Sequence, residues 1–142
     1  MTNETVIEEL NTLLRGTFMG IRSLEHYIQK VDDDGLKKNF QTMQQDIKLN
    51  SVILAERIQN LGGVPADDEG VSGSINSFMH KMKLPNDPQE IIEDAIAGFE
   101  KYGIHYSKEV IKGDLDPDSK QIAEDVIDTN RKYAEELKQL LH

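Results

Sequence analysis

The sequence contains no cysteine and no tryptophan, and it has only four prolines. Without cysteine the chain can form no disulfide, thiolate nucleophile, iron–sulfur cluster or cysteine-ligated zinc site. A protein-bound metal ion would therefore need Asp, Glu or one of the four histidines as its ligands.

Long apolar runs and basic patches are also missing. No stretch approaches the roughly 18 consecutive apolar residues that a membrane span requires, and residues 1–4 lack the charged-then-apolar pattern of a secretory signal. We therefore expect a cytoplasmic protein. Acidic residues outnumber basic ones 26 to 16, which gives a net charge of −10. Because the cations are scattered along the chain, nucleic acid and anionic membranes are disfavoured as partners.

The apolar residues that are present recur at helical spacing in four segments. The stripes are Ile7, Leu14, Ile21 and Ile28; Phe40, Ile47, Leu54 and Leu61; Ile92, Phe99, Tyr106, Tyr102 and Val110; and Ile122, Val126, Tyr133 and Leu137. Seven-residue repeats of this kind predict helices that pack side by side at shallow angles. The sequence therefore predicts an all-α bundle of four helices in a single domain spanning residues 1–142.

Capping residues mark the helix boundaries. Asp32-Asp33-Asp34-Gly35 ends the first helix and can cap the second, Gly62 and Gly63 end the second, and Asp87-Pro88 and Asp116-Pro117 begin the third and fourth. Aspartate before a first-turn proline is typical of a helix start, and glycine just past a helix permits the left-handed closing residue.

The four helices are joined by connections of very different length. Short links between the first and second helices, and between the third and fourth, predict two antiparallel hairpins. The connection from Gly62 to Asp87 is long enough to run the length of the bundle. We expect a short helix within it, from about Ser74 to Lys83, because Ile75, Phe78, Met79 and Met82 share one helical face.

Several local patterns in this connection resemble a known family. They are Leu61-Gly62-Gly63-Val64-Pro65, Gly73-Ser74 and His80-Lys81, and they are similar to those of an uncharacterised bacterial family of ferritin-like four-helix bundles. That family is a domain of unknown function related in fold to the YciF-type stress proteins. The resemblance implies an up-down-down-up topology, a role in bacterial stress or dormancy, and carboxylates and a histidine on the helices where a metal could bind. It also marks Gly62, Gly63, Pro65 and His80 as crossover positions, with His80 closing the crossover onto the bundle or bonding a helix end.

The predicted interior does not supply the usual ligands of a diiron centre. Diiron bundles carry inward carboxylates on all four helices and Glu-x-x-His on two of them, and no Glu-x-x-His occurs on any of the four helices here. The inward polar residues at mid-bundle are instead Thr17, Asn50, Ser51, Thr129 and Asn130, facing Gly98 and Gly103. We expect these residues to form a hydrogen-bonded layer that sets the register of the helices, with no metal and no cofactor. The alternative is a reduced iron site that uses Glu25, Glu56, Glu100 and His105.

No motif for metal-independent catalysis appears either. The sequence lacks a glycine-flanked nucleophile turn, a phosphate-binding loop and a dinucleotide fingerprint. We therefore expect a non-catalytic binding or structural protein, and the rival reading is an iron-binding or redox protein. A third alternative is a module that forms a homodimer through a helix face, with Val52 and Ile53 exposed on the second helix. The four-residue spacing of Gly16 and Gly20 also predicts a close helix approach, within the bundle or across a dimer. The sequence specifies no other protein partner.

Overall fold

The computed structural model describes residues 3–68, 87–111 and 113–141. Its helices are α1 (Asn3–Lys30), α2 (Asp34–Asn60), α3 (Pro88–Gly98), a π-helical segment (Phe99–Tyr106), α4 (Ser107–Val110) and α5 (Pro117–Gln139). The backbone stays right-handed helical at both ends of the π segment, so α3, the π segment and α4 form one continuous third helix. Within the described ranges there is no strand, and no helix combines the length and apolar composition needed to cross a bilayer.

Aspartate side chains cap the starts of three of these helices. Asp33, Asp87 and Asp116 each accept a hydrogen bond from the backbone N–H three residues further on, at 2.7, 3.3 and 3.2 Å respectively. Proline occupies the first turn after Asp87 and after Asp116, where its missing N–H costs no helical hydrogen bond. The predicted starts of the third and fourth helices are therefore confirmed. The second helix starts at Asp34, inside the Asp32–Gly35 segment that was predicted to cap it.

The end of α2 follows the glycine pattern read from the sequence. Gly62 has a φ of 90°, its N–H donates to the Gln59 carbonyl at 3.0 Å, and the Gly63 N–H donates to the Ile58 carbonyl at 2.9 Å. This pair of bonds is a Schellman motif, which satisfies carbonyls that the helix itself leaves unpaired. Asn11 then holds the chain beyond the motif, because its Oδ1 accepts from the Ala66 N–H at 2.8 Å.

Hydrogen bonds between helices define the topology. Near the end of α1, the Tyr27 hydroxyl donates to Asp94 in α3 at 2.5 Å. Near the end of α2, Arg57 donates to Asp116 at the start of α5 at 2.6 Å. The first and third helices are thus antiparallel, as are the second and fourth. The bundle therefore runs up-down-down-up with a long crossover between the second and third helices, as predicted. The short helix expected from Ser74 to Lys83 lies outside the described residues, and so does His80.

Buried apolar side chains form two clusters, one toward each end of the bundle. The upper core includes Leu24, Tyr27, Phe40, Ile47, Ile92, Phe99, Tyr133 and Leu137. The lower core consists of Val6, Leu10, Leu13, Leu14, Leu54, Ile58, Ala123 and Val126. The packed interior is therefore divided at mid-bundle by a layer that lies between the two cores.

The predicted apolar stripe of the third helix is wrong beyond Phe99. Tyr106 is 40% exposed, whereas Ile104 and Ser107 are buried, and Tyr102 is only partly buried. The spacing of buried positions widens to five residues between Phe99 and Ile104. The π segment causes this change, because its wider turns add a residue and shift the phase of every later position. Extrapolating the regular heptad past Phe99 therefore placed the wrong residues inside.

Candidate functional site

A cavity of about 60 Å³ lies at mid-bundle between α1 and the third helix. Apolar side chains from both cores form part of its wall, among them Leu13, Leu24, Ile47 and Phe99. The remaining wall consists of four glycines and seven side chains with an uncharged polar group: Gly16, Gly20, Gly98 and Gly103, and Thr17, Ser23, Tyr27, Asn50, Tyr102, Ser107 and Asn130. By volume the cavity can hold a few water molecules. None of the lining residues from the described ranges carries a charge.

The π segment shapes one wall of this cavity. The Ser107 hydroxyl donates to the Tyr102 carbonyl, five residues back, at 3.2 Å. The carbonyl of the following residue, Gly103, accepts a hydrogen bond from Asn130 Nδ2 in α5 at 2.9 Å. A Cβ at position 103 would lie 2.9 Å from Asn130 Cγ, so only glycine allows this approach. The contact between Gly103 and Asn130 joins the third and fourth helices at the level of the cavity.

Gly16, Gly20 and Gly98 have no such neighbour. Among the described residues, a Cβ built at any of these positions meets no atom within 4 Å outside its own helix backbone and chain neighbours. The close helix approach predicted from Gly16 and Gly20 is therefore wrong within the bundle, because these glycines face open space. Their effect is to leave the cavity wider than alanine would.

The five residues of the predicted polar layer differ in what they bond. Three hydroxyls donate to carbonyls of their own helices: Thr17 to Leu13 at 2.8 Å, Ser51 to Lys48 at 2.6 Å and Thr129 to Asp125 at 2.9 Å. Asn130 makes the interhelical bond to Gly103. Asn50 is half-buried on the cavity wall, and in the described part of the chain nothing hydrogen-bonds its amide.

The structure separates the residues considered for a reduced iron site. Glu25 is on the surface, where it accepts hydrogen bonds from Gln29 and Gln44 at 2.8 and 3.1 Å. These bonds, with a smaller effect from the charge of Lys48, lower the pKa of Glu25. Glu100 pairs with Lys138 at 2.7 Å.

Glu56 and His105 are both exposed. Because Glu25 bonds Gln44, and Glu56 lies 12 residues further along α2, those two carboxylates are about 18 Å apart along the bundle at 1.5 Å per residue. Among residues 3–68, 87–111 and 113–141, no three acidic or histidine side chains are placed to share a metal ion.

Contacts between helices that sequence reasoning missed lie on the upper-core side of this layer. Gln44 is buried and donates to both Glu25 and the Ile21 carbonyl, which joins α1 to α2. The Tyr133 hydroxyl donates to Asp46, which joins α5 to α2. The heptad pattern marked Tyr133 as apolar core and did not mark Gln44, since a periodicity identifies a face and not a hydrogen-bond partner. The five-residue step from Phe99 to Ile104 was the one available signal of the π segment.

The comparisons with known proteins agree with this architecture. Residues 5–113 match the model of a family described as a domain of unknown function, DUF2383. The chain belongs to this family. No curated protein matches it significantly.

A solved structure from Bacillus anthracis strain Ames, described as ferritin like, diiron-carboxylate proteins, is similar in fold. It has a TM-score of 0.71 and 24% sequence identity over 99% of this chain and 97% of that one. At this identity the likeness establishes the fold alone. Together the two comparisons confirm the resemblance to an uncharacterised ferritin-like family.

The central layer of this DUF2383 chain does not fit a diiron-carboxylate centre. Two iron ions in a bundle require several carboxylate oxygens together with imidazole, supplied by facing helices. The cavity wall offers hydroxyls, two asparagine amides and glycine backbone, and it contains no Asp, Glu or His. Neutral oxygens of this kind cannot balance the charge of two iron ions in a partly buried site.

Proposed function

We propose that this chain is a non-catalytic ferritin-like bundle that acts as a binding or structural protein and has lost the diiron centre. The observation that carries the proposal is the composition of the mid-bundle layer. This layer lies between the two apolar cores, where bundles of this architecture build metal sites from facing helices. The polar groups of this layer are uncharged, and four glycines line the cavity within it.

The polar residues of the layer support a structural part of this role. Asn130 bonds the Gly103 carbonyl across helices, and such a bond has the right geometry in one register only. A one-residue slip would leave the amide and the carbonyl unpaired in a partly buried place, at a cost of about 1–3 kcal/mol. The resemblance to the YciF-type stress proteins favours a role for this chain in the bacterial cytoplasm during stress or dormancy.

The rival function is iron binding or iron redox chemistry at a reduced carboxylate and histidine site. What favours it is the ferritin-like fold shared with a solved structure described as diiron-carboxylate. In this reading Glu25, Glu56, Glu100 and His105 would supply the ligands, and side chains that now bond Gln44 and Lys138 would have to be released.

Titration of the purified protein with ferrous iron in air separates the two functions. We expect no saturable binding by calorimetry and no absorption band of an oxo-bridged iron pair, because the centre offers no anionic ligand. Two iron ions bound per chain together with that band would overturn the proposal. The matched variants are His105→Ala and Glu100→Gln, which would abolish iron binding if the reduced site exists and change nothing otherwise.

A further inference from the structure

The outer face of α2 carries an apolar patch formed by Leu49, Val52 and Ile53. These side chains are 58%, 59% and 40% exposed. The core-facing residues of the same helix, such as Ile47 and Leu54, are 3% and 0% exposed. At 100° per residue the patch lies on the side of the helix away from that buried face. It holds three of the five large hydrophobic side chains that are exposed in the described part of the chain.

The charges around this patch differ from those of the protein as a whole. The chain has a net charge of −10, which opposes the approach of a second copy at most of its surface. Beside the patch on α2 lie the exposed Lys48, Glu56 and Gln45. The half-buried Asp46 and Arg57 also adjoin it, and they bond Tyr133 and Asp116, so the two cations and two anions balance. Across the described ranges no cation forms an ion pair with Glu56. Locally, therefore, the surface is neutral and apolar.

The positions of the two charges define a register. Lys48 and Glu56 each lie four residues from Val52, or about 6 Å along the helix. If a second α2 lies antiparallel on the first with Val52 at the two-fold axis, Lys48 of each copy stands level with Glu56 of the other. A contact centred half a residue later would instead bring Lys48 level with Arg57, whose charge is already paired with Asp116, and Glu56 level with the apolar Leu49. That register offers Lys48 and Glu56 no opposite charge.

We propose that the Leu49, Val52 and Ile53 patch is the interface of a homodimer in which two α2 helices pack antiparallel about Val52. The occupant of the face is a second copy of this chain, and the symmetry makes one patch serve both sides. Three apolar side chains per copy are fewer than a standard interface of about 800 Å² per partner uses. The dimer is accordingly weak and depends on protein concentration. This inference does not depend on the proposed function, and either can fail without the other.

Cysteine crosslinking tests the geometry directly, because the natural chain has no cysteine to interfere. In the proposed dimer the two copies of residue 52 meet at the axis, within the roughly 4.4–6.8 Å between Cα atoms that a disulfide spans. We expect Val52→Cys to form a disulfide-linked dimer under mild oxidation. The matched control is Thr42→Cys, at an exposed position of the same helix. Its two copies would lie about 20 residues, or about 30 Å, apart along the helix axis, and should remain unlinked.

Charge reversal tests the register. We expect Lys48→Glu to weaken self-association at least tenfold in sedimentation equilibrium, because it places two carboxylates opposite each other at both ends of the contact. The double variant Lys48→Glu with Glu56→Lys restores the pairing and should recover association. Circular dichroism shows whether each variant keeps its helices.

Three outcomes would overturn the proposal. One is a protein that sediments as a monomer at every concentration, which would mean that another segment or another protein covers the patch. Another is crosslinking at position 42 as fast as at position 52, which indicates a parallel or random encounter. The third is a double charge variant that associates no better than Lys48→Glu alone.

Discussion

Glycine meets two different surroundings in the described part of this chain. At positions 63 and 103 a side chain would collide with a neighbour, at 2.7 Å from Ile7 and 2.9 Å from Asn130 respectively. At Gly98 a Cβ would meet no other described residue within 4 Å beyond its own helix backbone and chain neighbours, although glycine in a helix costs about 1 kcal/mol relative to alanine. Glycine is therefore required for close contact at positions 63 and 103, whereas at position 98 it leaves unfilled space beside the helix.

This difference predicts opposite effects of the same substitution. Gly103→Ala should lower the free energy of unfolding by about 1–3 kcal/mol, because the new methyl group forces Asn130 away and breaks its hydrogen bond. Gly98→Ala should raise it by about 0.5–1 kcal/mol, because it removes the helical cost of glycine without a clash. Urea denaturation of both variants beside the parent measures the two changes. Equal effects at the two positions would contradict the contact assignment.

At the scale of the element, the third helix is the least regular part of the described fold. Its π segment inserts one residue between the buried Phe99 and the buried Ile104, and both flanks keep their apolar side against the core. The insertion presents Gly103 to Asn130 and places Tyr102 and Ser107 on the cavity wall. Because π turns are rare and often occur at functional sites, the segment is another feature that distinguishes the mid-bundle layer.

Deleting one residue should convert the π segment into regular helix. Lys101 is exposed and lies inside the segment, so its removal shortens the step from Phe99 to Ile104 to four residues and leaves both flanks in phase. We expect the variant to keep its helical circular dichroism and a cooperative thermal transition.

The control for that deletion is the loss of Glu93, which is exposed in the regular α3. Without an extra residue to absorb, this deletion rotates the start of the helix by about 100°. It removes an isoleucine from the upper core and should destabilise the protein by several kcal/mol. If both deletions lowered the free energy of unfolding by similar amounts, the π segment would not be the place where one additional residue is accommodated.

For the whole molecule, polar contacts between distant segments tie the bundle at both ends. Tyr27 and Tyr133 bond Asp94 and Asp46 in the upper half. In the lower half, Arg57 bonds Asp116 and Ser119. Each contact joins residues at least 59 positions apart in the chain, so each orients one hairpin against the other.

The two tyrosines predict a loss of stability at alkaline pH. Burial, and then the neighbouring carboxylates of Asp94 and Asp46, raise the pKa of Tyr27 and of Tyr133 well above the ordinary value near 10. Below pH 10 the protonated hydroxyls are retained in both the folded and unfolded states. As the pH rises further, the unfolded chain releases these protons more readily than the native state does, so the free energy of unfolding falls. Denaturant titrations from about pH 8 to 11 should show this decline.

The double variant Tyr27→Phe with Tyr133→Phe tests the cause. It should be less stable than the parent at about pH 8, because two hydrogen bonds are missing, and the difference should shrink as the pH rises. The pKa of Lys138 is raised by its hydrogen bond to Glu100. Deprotonation of Lys138 therefore accounts for part of the fall in stability with pH that the double variant retains. A double variant whose stability falls as steeply as the parent's above about pH 10 would exclude the tyrosines as the source.

Asp116 provides a control at the opposite end of the pH scale. Partial burial opposes its ionisation, but hydrogen bonds from Ser119 and the charge of Arg57 lower its pKa overall. Its contribution is therefore present at neutral pH and is lost as the pH falls through its native pKa. Asp116→Asn should flatten the acid limb of the stability curve and leave the alkaline slope unchanged.

Local chemistry and chain length predicted the helices, their caps, the two hairpins and the long crossover, while the family resemblance supplied the up-down-down-up order. The local signals are seven-residue apolar spacing, the aspartates before Pro88 and Pro117, the glycines after Leu61, and the long reach to Asp87. The same periodicity placed Thr17, Asn50 and Asn130 at mid-bundle, where they line the cavity. The tertiary structure alone decided the phase of the third helix after Phe99, the cavity beside Gly20 and Gly98, and the bonds of Gln44 and Tyr133. An inserted π turn and a contact between helices depend on how distant segments pack together. The spacing of apolar residues along the chain therefore does not specify them.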